Sequence, residues 1–463
     1  MEDPRFMVLQ ERLVVHLPGS HFSPGPEWPP IDCATKNAYG CGNLAAAMLD
    51  GLTLYLRRRR RRRNVGDPSD LNSSLSIGLT HLALESIQAE LGVSSEFDGI
   101  HGCLPEIDGS IKIADDHGVL VLMALFTVTP IPVHRLAGGD GHHELVIMAR
   151  KFWPQRRGVE RGRLCVCSPA TRTETNNNPD DVSTAGPWAA KEHSFPDDDV
   201  CQAFSADVTF SSDGKAFWGD LSQGVVYSDL RDSHDEAAVF VELPRGYKID
   251  FAVVPRFDQV EPANMSRTMG CVQGSVKFVC ICRRSGHGDR SGDEMAVKVW
   301  SLDMDHKLWK EDKGFPCLWK DLWKEACHMN VELRDVLLCP EPQYPVLTSD
   351  GALSFLLPSM LLRRSCGKEG DYICYFEIVR KRCLFFGQVR GYHSIGEFIL
   401  PYNFFTYRHP DPRGSCPAFL QVVAVLHLQP LVAFGVESPL FDELFFMIRL
   451  SVTVWHNSKE CDV

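Results

Sequence analysis

The sequence predicts a mainly β protein, a propeller-like body of short antiparallel sheets with an irregular or helical N-terminal arm. Three observations lead there. Residues 204–244 read as four short antiparallel strands in one run. A unit of that size buries too little surface alone, so it must repeat and stack, as propeller blades do. From Cys103 to about Asp411 the chain keeps one texture, short apolar runs between polar or Gly-rich loops, which suits five to seven blades at about 40 to 50 residues each. The residues before it differ, being rich in Pro and Gly or carrying leucines four apart.

Taken in order, residues 1–64 are a low-complexity, partly disordered arm. Its one strand-like piece is 6–16, and leucine and methionine spacing over 43–56 predicts a short helix. The arm ends in seven arginines, Arg57, Arg58, Arg59, Arg60, Arg61, Arg62 and Arg63. Residues 65–102 predict a second short helical segment, through Leu75, Leu79, Leu82, Leu84 and Ile87, stopped at Gly92. The body follows over 103–411. Within it, 119–133 reads as buried strand, and 173–199, acidic and bearing Asn, Asp and Pro, as a mobile surface loop.

In the 204–244 run, Val208 and Phe210 alternate with polar neighbours, Asp213-Gly214 makes a hairpin turn, and Ala216 to Trp218 resume a strand. A second turn at 222–224 leads into Val225, Val226 and Tyr227; Val239, Val241 and Leu243 alternate before Pro244 ends the strand. Further on, Met295, Val297 and Val299 share one face around Lys298, and Leu318, Trp319, Leu322, Trp323 and Ala326 follow helical spacing. Residues 412–463 form an unusually apolar C-terminal extension.

The pattern Phe217-Trp218-Gly219-Asp220-Leu221, Gly224-Val225-Val226, Asp229 and a closing Leu243-Pro244 resembles the core of the plant "domain of unknown function 1618" family, expanded in grasses. The likeness continues through 274–282, the strand around Trp300, Trp309 and 318–323, and spans about Leu104 to Arg382. Where the family usually shows Trp-Val-Asp, this chain has Trp218-Gly219-Asp220. The resemblance implies a β-rich fold similar to F-box-associated propeller-like domains and no established activity. No F-box is found in the first third, so by the resemblance the chain would reach ubiquitin-ligase machinery through a partner or act as a decoy.

Composition narrows the classes. Of 463 residues, 44% are hydrophobic, enough for a sizeable core. The net charge is −12, or −19 without the seven arginines, so the body should repel nucleic acid. The 17 cysteines, odd in number and irregularly spaced, read as reduced intracellular thiols. Neither a secretory start nor an uncharged membrane-length run is seen, which leaves nucleus or cytoplasm undecided.

The candidate chemistry is thin. The arginine run reads as an import signal, a phosphate-binding arm or a tract without a role. Cys165 with Cys167, and Cys280 with Cys282, lie two apart on strands. That spacing suits core packing over a zinc site, which takes cysteines from a turn. Gly138 to Glu144, with His142 and His143, reads as a hairpin tip over a metal loop. Asp220 and Asp229 read as acceptors for turn amides rather than as acid and base. Gly214-Lys215 lacks the phosphate-loop pattern, and no nucleophile elbow or His-Glu-x-x-His occurs. No catalytic, cofactor-binding or metal residue is assigned. Trp218 and Trp300 are expected in the core. The reading is a non-catalytic protein-interaction module with an unknown protein partner. The alternatives are a hydrolase using the propeller channel, or a nuclear nucleic-acid-associated protein acting through the arginine run.

Overall fold

The computed structural model describes residues 204–231, 238–249, 262–283, 295–312, 317–329, 339–348, 351–358, 371–377 and 380–389, and, outside these, separate strands and short stretches. Seven strands come first: β1 (Phe6–Gln10), β2 (Arg12–His16), β3 (Thr35–Tyr39), β4 (Leu52–Arg58), β5 (Asn72–Leu79), β6 (Gly109–Ala114) and β7 (Val119–Ala124). With β25 (Glu397–Pro401) and β26 (Gln421–Val425) they form a nine-stranded sheet, ordered β25-β1-β5-β2-β6-β7-β26-β3 with β4 beside β5. β1 runs antiparallel to β25, and β26 runs parallel to β3 and β7. Strands from both ends of the sequence therefore share one sheet.

Here the structure departs from the expectation of an irregular or helical arm. Residues 52–58 are strand rather than helix, paired antiparallel with β5 from Leu52↔Leu79 to Arg58↔Ser73. Leu52, Leu54 and Leu56 are buried while Thr53 and Tyr55 between them are half-buried, the period of a strand. Residues 72–79 are likewise strand; 81–83 and 85 are helical, and the rest of the expected helix lies outside the described residues. Residues 6–16 are two strands in place of one. The 119–133 run divides between β7 and β8 (Ile131–His134), which belong to different sheets. The expected loop over 173–199 contains a strand, β11 (Trp188–Glu192).

Four further sheets follow in chain order. The first joins β8, β9 (His143–Ala149), β10 (Arg163–Cys167) and β11. Next come β12 (Val208–Ser212), β13 (Lys215–Asp220), β14 (Gly224–Asp229) and β15 (Val239–Glu242). The third has β16 (Arg267–Val272), β17 (Ser275–Arg283), β18 (Met295–Asp303) and β19 (Leu308–Glu311), with the short β20 (Cys317–Leu318) against β18. The last has β21 (Gln343–Leu347), β22 (Ala352–Leu357), β23 (Asp371–Glu377) and β24 (Arg382–Val389). Each is antiparallel, with neighbours in sequence paired as neighbours in space. The protein is thus mainly β and built from several small antiparallel sheets.

The hairpin at Asp213-Gly214 closes as the sequence predicts. Both residues have positive φ (47° and 70°), the two-residue turn whose twist matches the flanking strands. The helix α1 (Trp319–Met329) also forms where the spacing places it, burying Trp319, Leu322, Trp323 and Ala326.

Alternation along the middle strands decides how the sheets stack. On β13, Ala216 and Trp218 face the β8–β11 sheet, joining Ile131, Val133 and Val146, while Phe217 faces the other way. Phe217, Val225, Tyr227 and Val241 meet Met269, Val276, Phe278 and Trp300 of the third sheet. That sheet's opposite face, Val279, Ile281, Val297 and Val299, meets Leu353, Phe355, Tyr372 and Phe376 of the last, with α1 wedged beside them. A strand buried on both faces reads as an almost unbroken apolar run, as β22 and the middle of β23 do. The first strands of successive sheets adjoin: β8 by β12, β12 by β16, β16 by β21.

Candidate functional site

The motif residues serve the fold. Trp218 is buried between two sheets, and Phe217 stacks on Phe210 at 4.9 Å. Asp220 is buried at the β13–β14 turn. Its Oδ1 accepts the backbone N–H of Ser222 (2.8 Å) and Gln223 (3.1 Å); its Oδ2 accepts the Ser205 N–H (2.8 Å) and Gln223 Nε2 (3.2 Å). Leu221, at the tip, fills the next core. Gly224 is required by close approach: a Cβ there would stand 2.4 Å from the Val241 carbonyl oxygen. Asp229 accepts the Arg231 N–H and pairs with Arg231 (2.7 Å) and Lys215 (3.1 Å), and the Arg231 guanidinium holds its carboxyl far below the usual range. Both aspartates therefore accept turn N–H groups, as their sequence setting suggests.

Leu243 and Pro244 are buried and set up a turn in which the Tyr247 N–H reaches the Pro244 carbonyl (3.0 Å), with Gly246 at φ 88°. This is the geometry of a type II turn, which needs glycine at its third position. The turn delivers Tyr247 onto Trp300, edge to face at 4.5 Å. Arg267 Nη1 then donates to the carbonyls of Tyr247 (2.7 Å) and Leu221 (2.8 Å), tying the third sheet to both turns of the second.

One reactive grouping stands at that junction. Arg267, Cys280 and Lys298 are opposite one another across β16, β17 and β18, and Cys282 shares the Cys280 face. The Cys280 and Cys282 sulfurs are 3.5 Å apart, and Cys282 Sγ lies 3.7 Å from Tyr247 Oη. Lys298 Nζ sits 5.9 Å from the centre of the Tyr247 ring and 3.7 Å from Glu311. The pair releases its first proton readily and its second reluctantly. The Cys280 thiol, hydrogen-bonded to Cys282, lowers Cys282 to about 7, helped by Tyr247, Lys298 and Arg267. The same contact, with burial, raises Cys280. Elsewhere burial raises Cys327 to about 11 and Cys383 to about 12.

Alternation around Lys298 already places it on the face opposite Val297 and Val299. Its meeting with Cys280, and the arrival of Tyr247, depend on strand pairing and a turn that local sequence does not show. Of the arginine run, Arg57 and Arg58 end β4, with the Arg57 guanidinium 5.5 Å from the Trp28 ring; 59–63 lie outside the described residues. Cys165 and Cys167 are on β10. The Gly138 to Glu144 segment joins β8 to β9, with His134 opposite His143; 135–142 lie outside the described residues. Among the described residues no three His, Cys, Asp or Glu side chains are placed to hold a metal ion, and no helix is long and apolar enough to cross a membrane.

Fold and site together define a mainly β protein of small stacked sheets whose carboxylates secure turns. Residues 218–353 match the model of the DUF1618 family, described as "Protein of unknown function", a span inside the stretch the motifs suggest. No curated protein matches the sequence. Two solved structures show weak similarity. One is an α-L-arabinofuranosidase from Lactobacillus brevis, at 10% identity and a TM-score of 0.23, over 61% of this chain and 78% of the other. The second is a mutant of the GH32 β-fructofuranosidase BmSUC1 of Bombyx mori in complex with sucrose, at 9% identity and a TM-score of 0.25, over 79% of this chain and 66% of the other. Likeness at that level carries no argument about activity.

Proposed function

We propose that this is a non-catalytic protein-interaction module of plant cells, a propeller-like scaffold akin to F-box-associated domains, whose rim loops bind a protein partner. The observation that carries the reading is the use made of Asp220: both carboxylate oxygens accept turn hydrogen bonds, and the side chain is buried. A carboxylate so engaged serves architecture, and binding falls to the loops such turns hold in place. Succession of sheets in chain order, with adjoining first strands, supports a radial arrangement.

Proximity labelling in plant cells tests this, using the full chain with and without Arg57 to Arg63 neutralised. The expected result is a reproducible set of protein neighbours, the same for both. Absence of enrichment over a control contradicts the reading, and loss of the neighbours on neutralisation transfers the role to the arginine run.

A further inference from the structure

We propose that Cys280 and Cys282 form an oxidisable dithiol, with Cys282 the attacking sulfur, Cys280 the resolving one, and hydrogen peroxide the oxidant. Three features of the site converge on this. The two side chains project from one face of β17 with their sulfurs already 3.5 Å apart, so closing a bond takes a small movement. Cys280 is buried and Cys282 half-buried, which gives the second the access an attacking group needs. Cys282 also faces the Tyr247 hydroxyl at 3.7 Å, with the Lys298 ammonium and Arg267 guanidinium in the same face, a setting that favours thiolate.

Among the described residues, the charged and titratable groups around Cys282 are Cys280 on its own strand, Arg267 on β16, Lys298 on β18 and Tyr247 from the turn after β15; Glu311 on β19 partners Lys298. Of the other described free thiols, Cys317, Cys327, Cys374 and Cys383 are held protonated by burial.

The chemistry balances in two steps. The Cys282 thiolate attacks one peroxide oxygen, the O–O bond breaks, and the departing hydroxide takes up a proton to leave water and a sulfenic acid. The Cys280 thiol then attacks that sulfur, the S–O bond breaks, a second water leaves, and a disulfide forms. The sulfurs together give two electrons to the peroxide. Residues two apart on a strand have Cα atoms about 6.6 Å apart, near the upper limit of about 6.8 Å for a disulfide, so the bond is strained and easily reduced. It suits a reversible switch. Its setting links it to the sheet junction, because Tyr247 offers its hydroxyl to Cys282 and its carbonyl to Arg267.

The test uses the reduced full chain. Trypsin cuts after Lys277 and Arg283, releasing Phe278 to Arg283, which contains Cys280 and Cys282 and no other cysteine. After brief hydrogen peroxide and alkylation, the expected peptide is lighter than the reduced form by two hydrogen atoms and unalkylated. Dithiothreitol restores it, and denaturing the protein first removes its preference over other cysteines. In Cys280→Ser the reaction should stop at a sulfenic acid on Cys282, trapped by dimedone, and Lys298→Met should slow it several-fold. A dithiol peptide persisting at a dose that oxidises Cys271 overturns the proposal, and needs no variant to fold. So does a Cys282 that reacts no faster than Cys271 in Cys280→Ser.

Discussion

Replacing Asp220 separates an architectural carboxylate from a catalytic one. In Asp220→Ala the buried Ser222 N–H loses its acceptor and the Gln223 N–H keeps only its backbone acceptor, the carbonyl of residue 220 at 3.2 Å, while the exposed Ser205 N–H turns to water. The buried unmet Ser222 donor costs about 1–3 kcal/mol and the lost Gln223 bond adds about 1, so the expected loss is about 2–4 kcal/mol, a large part of a typical stability of about 5–15 kcal/mol. Asp220→Asn keeps one oxygen for the Ser222 and Gln223 amides but turns a donor toward Gln223 Nε2. Its loss should be about 1–2 kcal/mol. Urea unfolding followed by tryptophan fluorescence reads both, as a shift in midpoint at constant slope, and amide exchange at 222 and 223 localises the effect. The expected order is wild type, then Asn, then Ala. An Ala variant within about 0.5 kcal/mol of wild type refutes the reasoning.

Gly224→Ala should cost about 1–3 kcal/mol in the same assay, since its Cβ would meet a backbone oxygen of β15 and the Phe240 ring. Gly219→Val should destabilise, because a Cβ there lies 2.7 Å from Val208 Cγ2. Adding Val208→Ala should recover about 0.5–3 kcal/mol as a coupling energy in a double-mutant cycle. Alkylation of Cys282 should rise with pH around a midpoint of about 7, and Cys280→Ala, by removing the leading cause, should move it toward the ordinary thiol value of 9.0. Asp229, whose carboxyl is depressed by Arg231 and Lys215, contributes stability that is complete above 3.8 and fades as pH falls below it. Arg231→Met should flatten the acid limb of a stability-against-pH curve, and an unchanged limb counts against the pairing.

Legibility in the sequence followed the range of the interactions. The β12–β15 sheet was readable because its signals are local: a two-residue turn, alternation, and a proline at the end. The α1 helix was readable from its tryptophan spacing. Leu52 with Leu56, and Leu75 with Leu79, misled because a spacing of four fits one helical turn and also two strand periods. Pairing decides between them, since β4 and β5 lie opposite each other over their whole overlap. The β1–β25 pairing joins Phe6 to Pro401, a contact that local reading does not reach. The thiol site falls between: its cysteines were visible as a pair, and Lys298 as the odd residue in an apolar strand. Tyr247 needed the turn at Pro244 to bring it within reach of Cys282.

Stacking of successive sheets through shared cores is tested most directly by amide hydrogen exchange on the full chain, wild type against Phe278→Ala. Phe278 is fully buried between the second and third sheets, beside Tyr247 and Trp300. The account predicts faster exchange in β13 and β14 as well as in β17 and β18, because the cavity opens a core that both sheets line. Exchange that quickens in the third sheet while β13 and β14 stay at their wild-type rates would contradict it.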